Sequence, residues 1–330
     1  MPITLMPRDD TLRIVCRLTA GYPEMSQACK GLEGVTLVDA RDAETLARAI
    51  PSARVVVVHN GLYTAELAAA LKTRARHLEW LHLVTAGWDA LLKHGAPSGI
   101  PISNSSGIWT PVVVEHAFAM LLGLLRCLPQ IERGRAQGRW VQGEIRDSLS
   151  CLRTRTLVVL GMGSIGRAAA RIAKTFDMRV IGVSRTPRTE AHADRAVGVE
   201  QLSVVLPEAD ALLISVPLTP GTRHLVGADE LARLKPSAVL INVARGEVVD
   251  EAALVRALAD GRLAGAGLDV FAEEPLPPDH VLWRLDNVIL SPHVGGYGDP
   301  HLLEGLARHF RANLDRFLVG QPLQDRVSLA

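Results

Sequence analysis

The second half of the chain alternates short apolar runs with stretches rich in helix-forming residues. Six of the runs have the length and composition of buried strands: residues 156–160, 179–183, 211–216, 238–243, 264–270 and 288–290. Strands that are apolar on both faces and joined by helices are typical of a parallel sheet covered by helices on each side. The pattern therefore predicts an open, doubly wound α/β sheet of about six strands.

The first part of the chain repeats this alternation on a smaller scale. Residues 12–16, 54–58 and 80–84 have the composition of strands, and residues 64–71 that of a helix. A chain of 330 residues exceeds the size at which a single core stops growing, about 250–300 residues, so we expect two domains. Only 4% of the residues are aromatic against 48% hydrophobic overall, which disfavours an all-β sandwich.

The charge balance excludes some classes of partner. The chain has 36 Lys and Arg against 35 Asp and Glu, so its total charge favours neither a nucleic acid nor an acidic membrane, and a small molecule fits better. Its four cysteines show no CxxC spacing, which argues against a disulfide framework and against a structural zinc site, and we expect no metal. Residues 1–10 lack the features of a signal peptide, and we expect a cytoplasmic protein.

One segment is apolar nearly all round. Residues 112–128 are interrupted by charged residues such as Glu115 and Arg126, and the run is too short to span a bilayer. Thr110 is suited to an N-cap and Pro111 to a first helical position. We expect a buried helix that starts at Pro111 and packs on more than one face.

A glycine-rich turn follows the first strand of the larger sheet. Residues 161–166 read GMGSIG and lead into a helical stretch. In this setting Gly161 allows a tight turn, Gly163 allows a pyrophosphate to approach the backbone, and Gly166 allows the helix to pack closely on the strand. The pattern predicts a dinucleotide site, the alternative being a glycine-rich turn without a ligand.

The end of the next strand bears on the choice of dinucleotide. An NAD-specific site has Asp or Glu there, whereas this chain has Ser184 followed by Arg185 and, three residues on, Arg188. Without the carboxylate a 2′-phosphate is not repelled, and the two arginines are able to bind it. We expect NADP to be preferred, with NAD possible; the alternative is that both arginines are solvated.

Three further strand ends carry Arg245, Glu274 and His293. In an open α/β sheet the carboxyl ends of the strands face the ligand, so the three side chains are expected to converge beside the nicotinamide. Together they suit reduction of a 2-keto acid: Arg245 binds the carboxylate and polarises the keto oxygen, His293 donates a proton, and Glu274 orients the imidazole. Hydride comes from the cofactor.

Two residues near these motifs are expected to have no role in the chemistry. Glu273 adjoins Glu274, but only Glu274 precedes Pro275, so Glu273 is expected to be solvated. His116 lies in the apolar helix without a motif around it. A lone histidine of this kind is more often a packed residue than a functional one.

At these residues the chain resembles the D-isomer-specific 2-hydroxyacid dehydrogenases, and specifically those acting on glyoxylate or hydroxypyruvate. The resemblance rests on six segments in the family's order: GMGSIG at 161–166, VPLTPGT at 216–222, NVARG at 242–246, LDVFAEEP at 268–275, SPH at 291–293 and FLVGQPL at 317–323. It implies that Arg245, Glu274 and His293 form the catalytic triad, with His293 as acid/base.

The resemblance also implies further contacts. Those to the dinucleotide are expected at Ser164, Ile165, Val216, Pro217, Val243, Ala244, Asp269 and Gly295, and those to the substrate at His59, Asn60, Gly61 and Gly87 as well as Arg245 and His293. Asp269 matches the residue that holds the nicotinamide carboxamide. The loop at 58–61 matches one that binds the substrate carboxylate through backbone N–H groups.

The resemblance predicts two Rossmann-like, doubly wound parallel-sheet domains separated by a cleft. The NAD(P)-binding domain, residues 101–298, is expected to be inserted within a substrate domain made of residues 1–100 and 299–330. The apolar helix and the following segment 130–140 match a dimer-forming arm, so we expect a homodimer.

Two features of the sequence narrow the range of expected substrates. The loop at 58–61 has no Lys or Arg for a phosphate, and His59 is its sole candidate, which favours a small unphosphorylated 2-keto acid such as glyoxylate or hydroxypyruvate. Glu274 argues against formate, because formate dehydrogenases pair the histidine with an amide.

The alternative function is a dinucleotide-sensing interaction protein, since corepressors share this scaffold and its triad. The chain's lack of extended disordered tails weighs against this alternative.

Overall fold

We describe residues 11–329 of the computed structural model. Within them, residues 11–109 and 299–329 form one compact unit and Thr110–Gly298 forms another. Residues 1–10, for which the sequence predicts no signal peptide, lie outside the described part.

The first domain boundary differs from the expected one. The sequence places it after residue 100, whereas the compact units divide between Trp109 and Thr110. The intervening residues belong to the first unit because Ile102 pairs with Leu81 of its sheet and the Trp109 indole N–H donates to the carbonyl of Val84 at 2.9 Å. The second division falls after Gly298.

Twelve strands and twelve α-helices, joined by short 3₁₀ turns, build the two units. The strands are β1 Leu12–Arg17, β2 Val35–Asp39, β3 Val55–Val58, β4 Trp80–Leu83, β5 Ile102–Ser103, β6 Thr156–Leu160, β7 Arg179–Ser184, β8 Arg195–Gly198, β9 Ala211–Ile214, β10 Val239–Asn242, β11 Gly265–Leu268 and β12 Val288–Leu290. The helices are α1 Tyr22–Ala28, α2 Ala43–Ala49, α3 Ala65–Thr73, α4 Asp89–His94, α5 Ser106–Leu125, α6 Leu128–Ala136, α7 Gln142–Ile145, α8 Ser164–Thr175, α9 Leu202–Val205, α10 Ala228–Arg233, α11 Glu251–Ala259 and α12 Leu302–Leu318. These counts refer to residues 11–329.

The first unit is built on a parallel sheet in the order β2-β1-β3-β4-β5. Alternate residues of its strands pack into separate cores, as with Val55 and Val56 of β3, so both faces are covered. Helix α12 returns to one of these cores, where the ring of Phe310 stacks on that of Trp80 with centroids 5.3 Å apart. The sequence signalled three of the five strands and missed β2, which is only half-buried, and β5, which has two residues.

A fully buried histidine, His82, lies on strand β4 of this sheet. His82 Nδ1 is 2.9 Å from Ser103 Oγ and its Nε2 is 3.1 Å from Ser105 Oγ. Ser103 Oγ also accepts a hydrogen bond from the Trp80 indole N–H. Burial, assisted by the nearby His309, lowers the pKa of His82 to about 3, so the imidazole is neutral at physiological pH.

The second unit contains a seven-stranded parallel sheet in the order β12-β11-β10-β9-β6-β7-β8. Val158 and Leu160 of β6 pack into one core and Leu157 and Val159 into another, which confirms the doubly wound α/β class. The sequence indicated six strands and missed β8. That strand lies at the edge of the sheet, and its first residues are only partly buried.

Helix α5 begins earlier than expected. It starts at Ser106, so Pro111 is inside the helix and Thr110 is not its N-cap. The extra turn is stabilised by tertiary contacts that a local signal does not contain: Ile108 and Trp109 pack against the first unit's core.

The full length of α5 also overturns the expectation that this segment is too short to span a bilayer. At 20 residues the helix is long and apolar enough by length and composition. However, 44% of its most apolar window is buried inside the protein, and Val114, Ala117 and Phe118 belong to a core of the second unit. The buried part of this helix therefore belongs to a core of the second unit.

Candidate functional site

The glycine turn joins β6 to α8. Gly161 has φ = +104°, a conformation that favours glycine, and a Cβ there would lie 2.9 Å from the backbone of Ser215. A Cβ on Gly166 would lie 1.9 Å from the carbonyl oxygen of Gly161, so the helix packs directly against the turn. At Gly163 a Cβ would meet nothing within 4 Å, which leaves open space beside the backbone.

This turn lies where the strand order of the sheet reverses direction. Strand β6 has β7 on one side and β9 on the other, the position at which open α/β sheets bind their ligands. Ser164 and Ile165 form the first turn of α8, and within the described chain no side chain caps that helix. Its N-terminal N–H groups therefore suit an anion such as a pyrophosphate.

Residues after β9 and β7 flank the turn. Ser215 Oγ donates to the carbonyl of Gly161 at 2.9 Å, and Val216 and Pro217 follow it in the chain. On the other side the Gly161 N–H donates to the carbonyl of Val183 at 2.8 Å, which sets Ser184 beside the turn.

Beyond Ser184, both Arg185 and Arg188 are exposed. A serine thus occupies the strand end where a carboxylate would repel a phosphate, and two guanidinium groups follow it. The residues present fit a dinucleotide bearing an additional phosphate.

The turn after β10 is shaped by a buried asparagine. Asn242 Oδ1 accepts the N–H of Ala244 at 3.0 Å, and its Nδ2 donates to the carbonyl of Arg245 at 3.0 Å. Val243 and Ala244 are buried, while Arg245 is partly buried with Nη1 donating to the carbonyl of Ala244 at 2.7 Å. The asparagine therefore fixes the backbone that carries the arginine.

Glu274 and His293 form a direct pair. The Glu274 Oε2 atom is 2.7 Å from His293 Nδ1, and Glu274 Oε1 accepts the N–H of Phe271 at 3.0 Å. Burial alone would raise the pKa of Glu274, but the hydrogen bonds from His293 and Phe271, and then the charges of His293 and Arg245, outweigh it and lower the pKa. The carboxylate is therefore ionised, and an ionised carboxylate only accepts, so His293 Nδ1 is the donor.

This assignment of protons leaves His293 Nε2 available. The side chain of His293 is 45% exposed, and its backbone adopts φ = +54°, a left-handed conformation uncommon for residues other than glycine. The three predicted triad residues thus lie together in the second unit: two are in contact, and the charge of Arg245 acts on Glu274.

A buried carboxylate orders the segment that carries His293. Asp269 follows β11 and is 4% exposed. Its Oδ1 accepts from Ser291 Oγ at 2.6 Å and from the N–H of Val294 at 2.9 Å, while its Oδ2 accepts the N–H of Gly295 at 3.0 Å. Asp269 and Gly295, both predicted to contact the dinucleotide, are therefore neighbours.

The four substrate residues predicted in the first unit lie in two of its loops, one after β3 and one after β4. His59 Nδ1 accepts the N–H of Gly61 at 3.1 Å, and burial lowers the pKa of His59. The Asn60 side chain donates to Asp89 and accepts the N–H of Ala90. The side chains of His59 and Asn60 thus hold the loop itself.

Gly87 is partly buried after β4. Its carbonyl accepts from Thr85 Oγ1 at 2.9 Å, and the neighbouring carbonyl of Ala86 accepts from Asn104 Nδ2 at 2.8 Å.

Sequence reasoning missed two residues beside the triad. Asn242 had a signal, an Asx residue at a strand end directly before a functional turn. His116 had none: the structure places its Nε2 3.3 Å from Asp269 Oδ1, across elements far apart in sequence. Among residues 11–329, no group of three or more His, Cys, Asp or Glu is arranged to hold a metal ion.

Comparison with known proteins bears on the site as a whole. Residues 118–295 match the model of the NAD-binding domain of D-isomer-specific 2-hydroxyacid dehydrogenases. The glyoxylate reductase of Thermococcus litoralis is 35% identical over 266 residues, 79% of this chain and 80% of that protein. This chain belongs to the D-isomer-specific 2-hydroxyacid dehydrogenase family.

Solved structures agree with the assignment. A member of this family from Aeromonas salmonicida superimposes with a TM-score of 0.80 at 32% identity, covering 97% of this chain and 100% of that one. The NADPH-dependent glyoxylate/hydroxypyruvate reductase of Sinorhizobium meliloti, in complex with NADP and sulfate, gives 0.82 at 28% identity, with coverage of 96% and 98%. The two-sheet α/β fold is that of the family, and the dehydrogenase is an oxidoreductase that uses a nicotinamide dinucleotide to reduce a keto acid.

Proposed function

We propose that this dehydrogenase reduces a small unphosphorylated 2-keto acid, such as glyoxylate or hydroxypyruvate, with NADPH. The 2-keto acid, NADPH and a proton give the 2-hydroxy acid and NADP⁺; a product with a stereocentre has the D configuration. The observation that carries the proposal is the 2.7 Å contact between His293 Nδ1 and Glu274 Oε2 beside the charge of Arg245.

The pair performs the proton transfer. Because Nδ1–H is held by the carboxylate, Nε2 of the imidazolium donates the proton to the keto oxygen, and Glu274 stabilises the charged ring before the transfer. The guanidinium of Arg245 binds the substrate carboxylate and polarises the keto group. The bound dinucleotide supplies the hydride.

The cofactor preference rests on the end of β7. Ser184 introduces no negative charge there, and Arg185 and Arg188 bind the 2′-phosphate of NADPH. The Sinorhizobium reductase was solved with NADP, which supports the proposal. The glycine turn at 161–166 and residues 216–217, 243–244, 269 and 295 bind the rest of the dinucleotide.

The substrate class rests on the available cations. Residues 58–61 contain no Lys or Arg, and burial lowers the pKa of His59, so this proposed substrate loop has no charge for a phosphate. The Thermococcus relative is a glyoxylate reductase, which supports the same class. His59, Asn60, Gly61 and Gly87 stay proposed substrate contacts.

The test is oxidation of NADPH, followed by its absorbance, with glyoxylate, hydroxypyruvate and pyruvate. Turnover with the first two and a higher kcat/KM for NADPH than for NADH is the expected result. Turnover with NADH only would refute the cofactor preference. Tight NADPH binding without oxidation by any keto acid would instead favour the dinucleotide-sensing interaction protein.

We also propose that the enzyme is a cytoplasmic homodimer. The segment proposed as the dimer arm carries large exposed apolar side chains, including Trp140 at 89% and Leu128 at 50%. Light scattering of the purified protein tests the dimer, and a monomeric mass at working concentration would refute it.

A further inference from the structure

A second glutamate and histidine pair contacts the segment that leads to Glu274. Glu251 is the first residue of α11, which Asp250 caps by accepting the N–H of Ala253. Glu251 Oε1 lies 3.4 Å from His280 Nε2, with the two side chains 18% and 24% exposed respectively. Nothing in the proposed chemistry uses either residue.

The proton positions within this pair follow from its other contacts. His280 Nδ1 accepts the N–H of Leu282 at 3.3 Å, so a neutral His280 carries its proton on Nε2, the ring nitrogen that lies 3.4 Å from Glu251 Oε1. The other oxygen of the glutamate, Oε2, accepts the N–H of Ala272 at 3.1 Å. Glu251 thus has one oxygen in close contact with the imidazole, and the other accepts a hydrogen bond from the backbone of the segment that leads to Glu274.

The Phe271–Ala272 peptide contacts the segments that carry two of the triad residues, Glu274 and Arg245. Phe271 donates its N–H to Glu274 Oε1. On the opposite side is Gly246, directly after Arg245, where a Cβ would lie 1.9 Å from the Phe271 carbonyl carbon and 2.3 Å from the Ala272 nitrogen. The peptide that Glu251 holds therefore touches both the arginine turn and the glutamate loop.

We propose that Glu251, oriented by His280, is a positioning residue that fixes the Phe271–Ala272 peptide and thereby the geometry of Glu274 relative to Arg245 and His293. This inference rests on the proposed function for its effect on turnover, but not for the contact itself. Displacement of a catalytic group by about 1 Å costs up to roughly a hundredfold in rate. Loss of this contact is therefore expected to lower kcat more than it lowers binding of NADPH.

The experiment compares E251A with E273A, a matched loss of one carboxylate from an exposed residue next to Glu274. We expect E251A to lower kcat about tenfold to a hundredfold, with the KM for NADPH within about twofold of wild type and an altered pH profile of kcat. E273A is expected to match wild type in all three. A third variant, H280N, keeps an acceptor for the Leu282 N–H and removes the ring nitrogen that lies 3.4 Å from Glu251, so a smaller loss of kcat is expected.

Amide hydrogen exchange of the peptide containing Phe271 and Ala272 provides a readout independent of turnover. Protection in wild type and E273A together with faster exchange in E251A supports the proposed contact of Glu251 with this peptide. This holds even if no keto acid is reduced, in which case only the proposed function fails. Unchanged exchange in E251A overturns the inference, as does kcat within twofold of wild type in an enzyme that reduces keto acids. A fall in kcat that only parallels loss of folded protein in thermal unfolding also overturns it.

Discussion

The substitution Glu274→Gln isolates the charge of the triad carboxylate while conserving its shape. In the native protein its two oxygens accept two different donors, the Nδ1–H of His293 at 2.7 Å and the N–H of Phe271 at 3.0 Å. Glutamine has a single acceptor oxygen, so one of these donors must face an NH₂ group. The imidazolium form of His293 also loses its counter-charge.

The contacts set the size of the effect. A hydrogen bond to a charged group contributes about 1.5–3 kcal/mol, and we take the lower end because the side chains of Glu274 and His293 are 36% and 45% exposed. That corresponds to about tenfold in rate. General acid–base catalysis as a whole contributes about 10²–10⁴-fold, so we expect E274Q to lower kcat between tenfold and about a hundredfold.

The assay is steady-state oxidation of NADPH by glyoxylate and hydroxypyruvate. Glu273→Gln, the same change at the exposed neighbour, is the control and is expected to leave kcat unchanged. A rise in KM for the keto acid with kcat intact in E274Q would refute the reasoning, because it would assign Glu274 to substrate binding.

The pH dependence of stability gives this prediction a second arm. The pKa of Glu274 is lowered in the folded protein, so its carboxylate contributes stability above the pKa of an unfolded glutamate and loses that contribution as pH falls through the folded value. Denaturant unfolding of wild type and E274Q should therefore differ at neutral pH and converge in acid. A constant difference across this range would contradict the lowered pKa.

Three further predictions concern the cofactor site, Asp210 of the second unit and His82 of the first unit. The double substitution of Arg185 and Arg188 by Ala should lower kcat/KM for NADPH about tenfold, from the loss of charge-assisted hydrogen bonds, and leave that for NADH unchanged; equal losses would contradict a 2′-phosphate site. Asp210→Asn should cost about 2 kcal/mol in urea unfolding at neutral pH and less in acid, since the hydrogen bond from the Thr156 N–H and the charge of Lys235 outweigh burial and lower the pKa of Asp210; a pH-independent loss would contradict this. Because the pKa of His82 falls to about 3, unfolding free energy should drop by up to about 1.4 kcal/mol per pH unit below about 6.5, and His82→Asn should flatten this slope.

The parts of the fold that follow from sequence are those with strong local signals. Buried strands such as β6 and β10 are continuous apolar runs, and the helical composition of residues 64–71 coincides with α3 at Ala65–Thr73. The predicted start of α5 was wrong because contacts of Ile108 and Trp109 with the core of the first unit allow the helix to begin before its local start signal at Pro111. Strands β2, β5 and β8 were missed because pairing with a neighbour, more than composition, makes them strands.

The sequence by itself predicted the residues of the candidate site. It named the glycine turn, the arginines after Ser184 and the three triad residues, because each of these follows a strand end that a parallel sheet brings to one edge. Which proton sits where was decided only by the tertiary structure, through contacts between residues distant in the chain. The 2.7 Å contact fixing Nδ1 of His293 as donor, the Asp269 carboxylate 3.3 Å from His116 Nε2, and the hydrogen bond from the Ala272 N–H to Glu251 all join residues that are separated in the chain, and no local pattern encodes such distances.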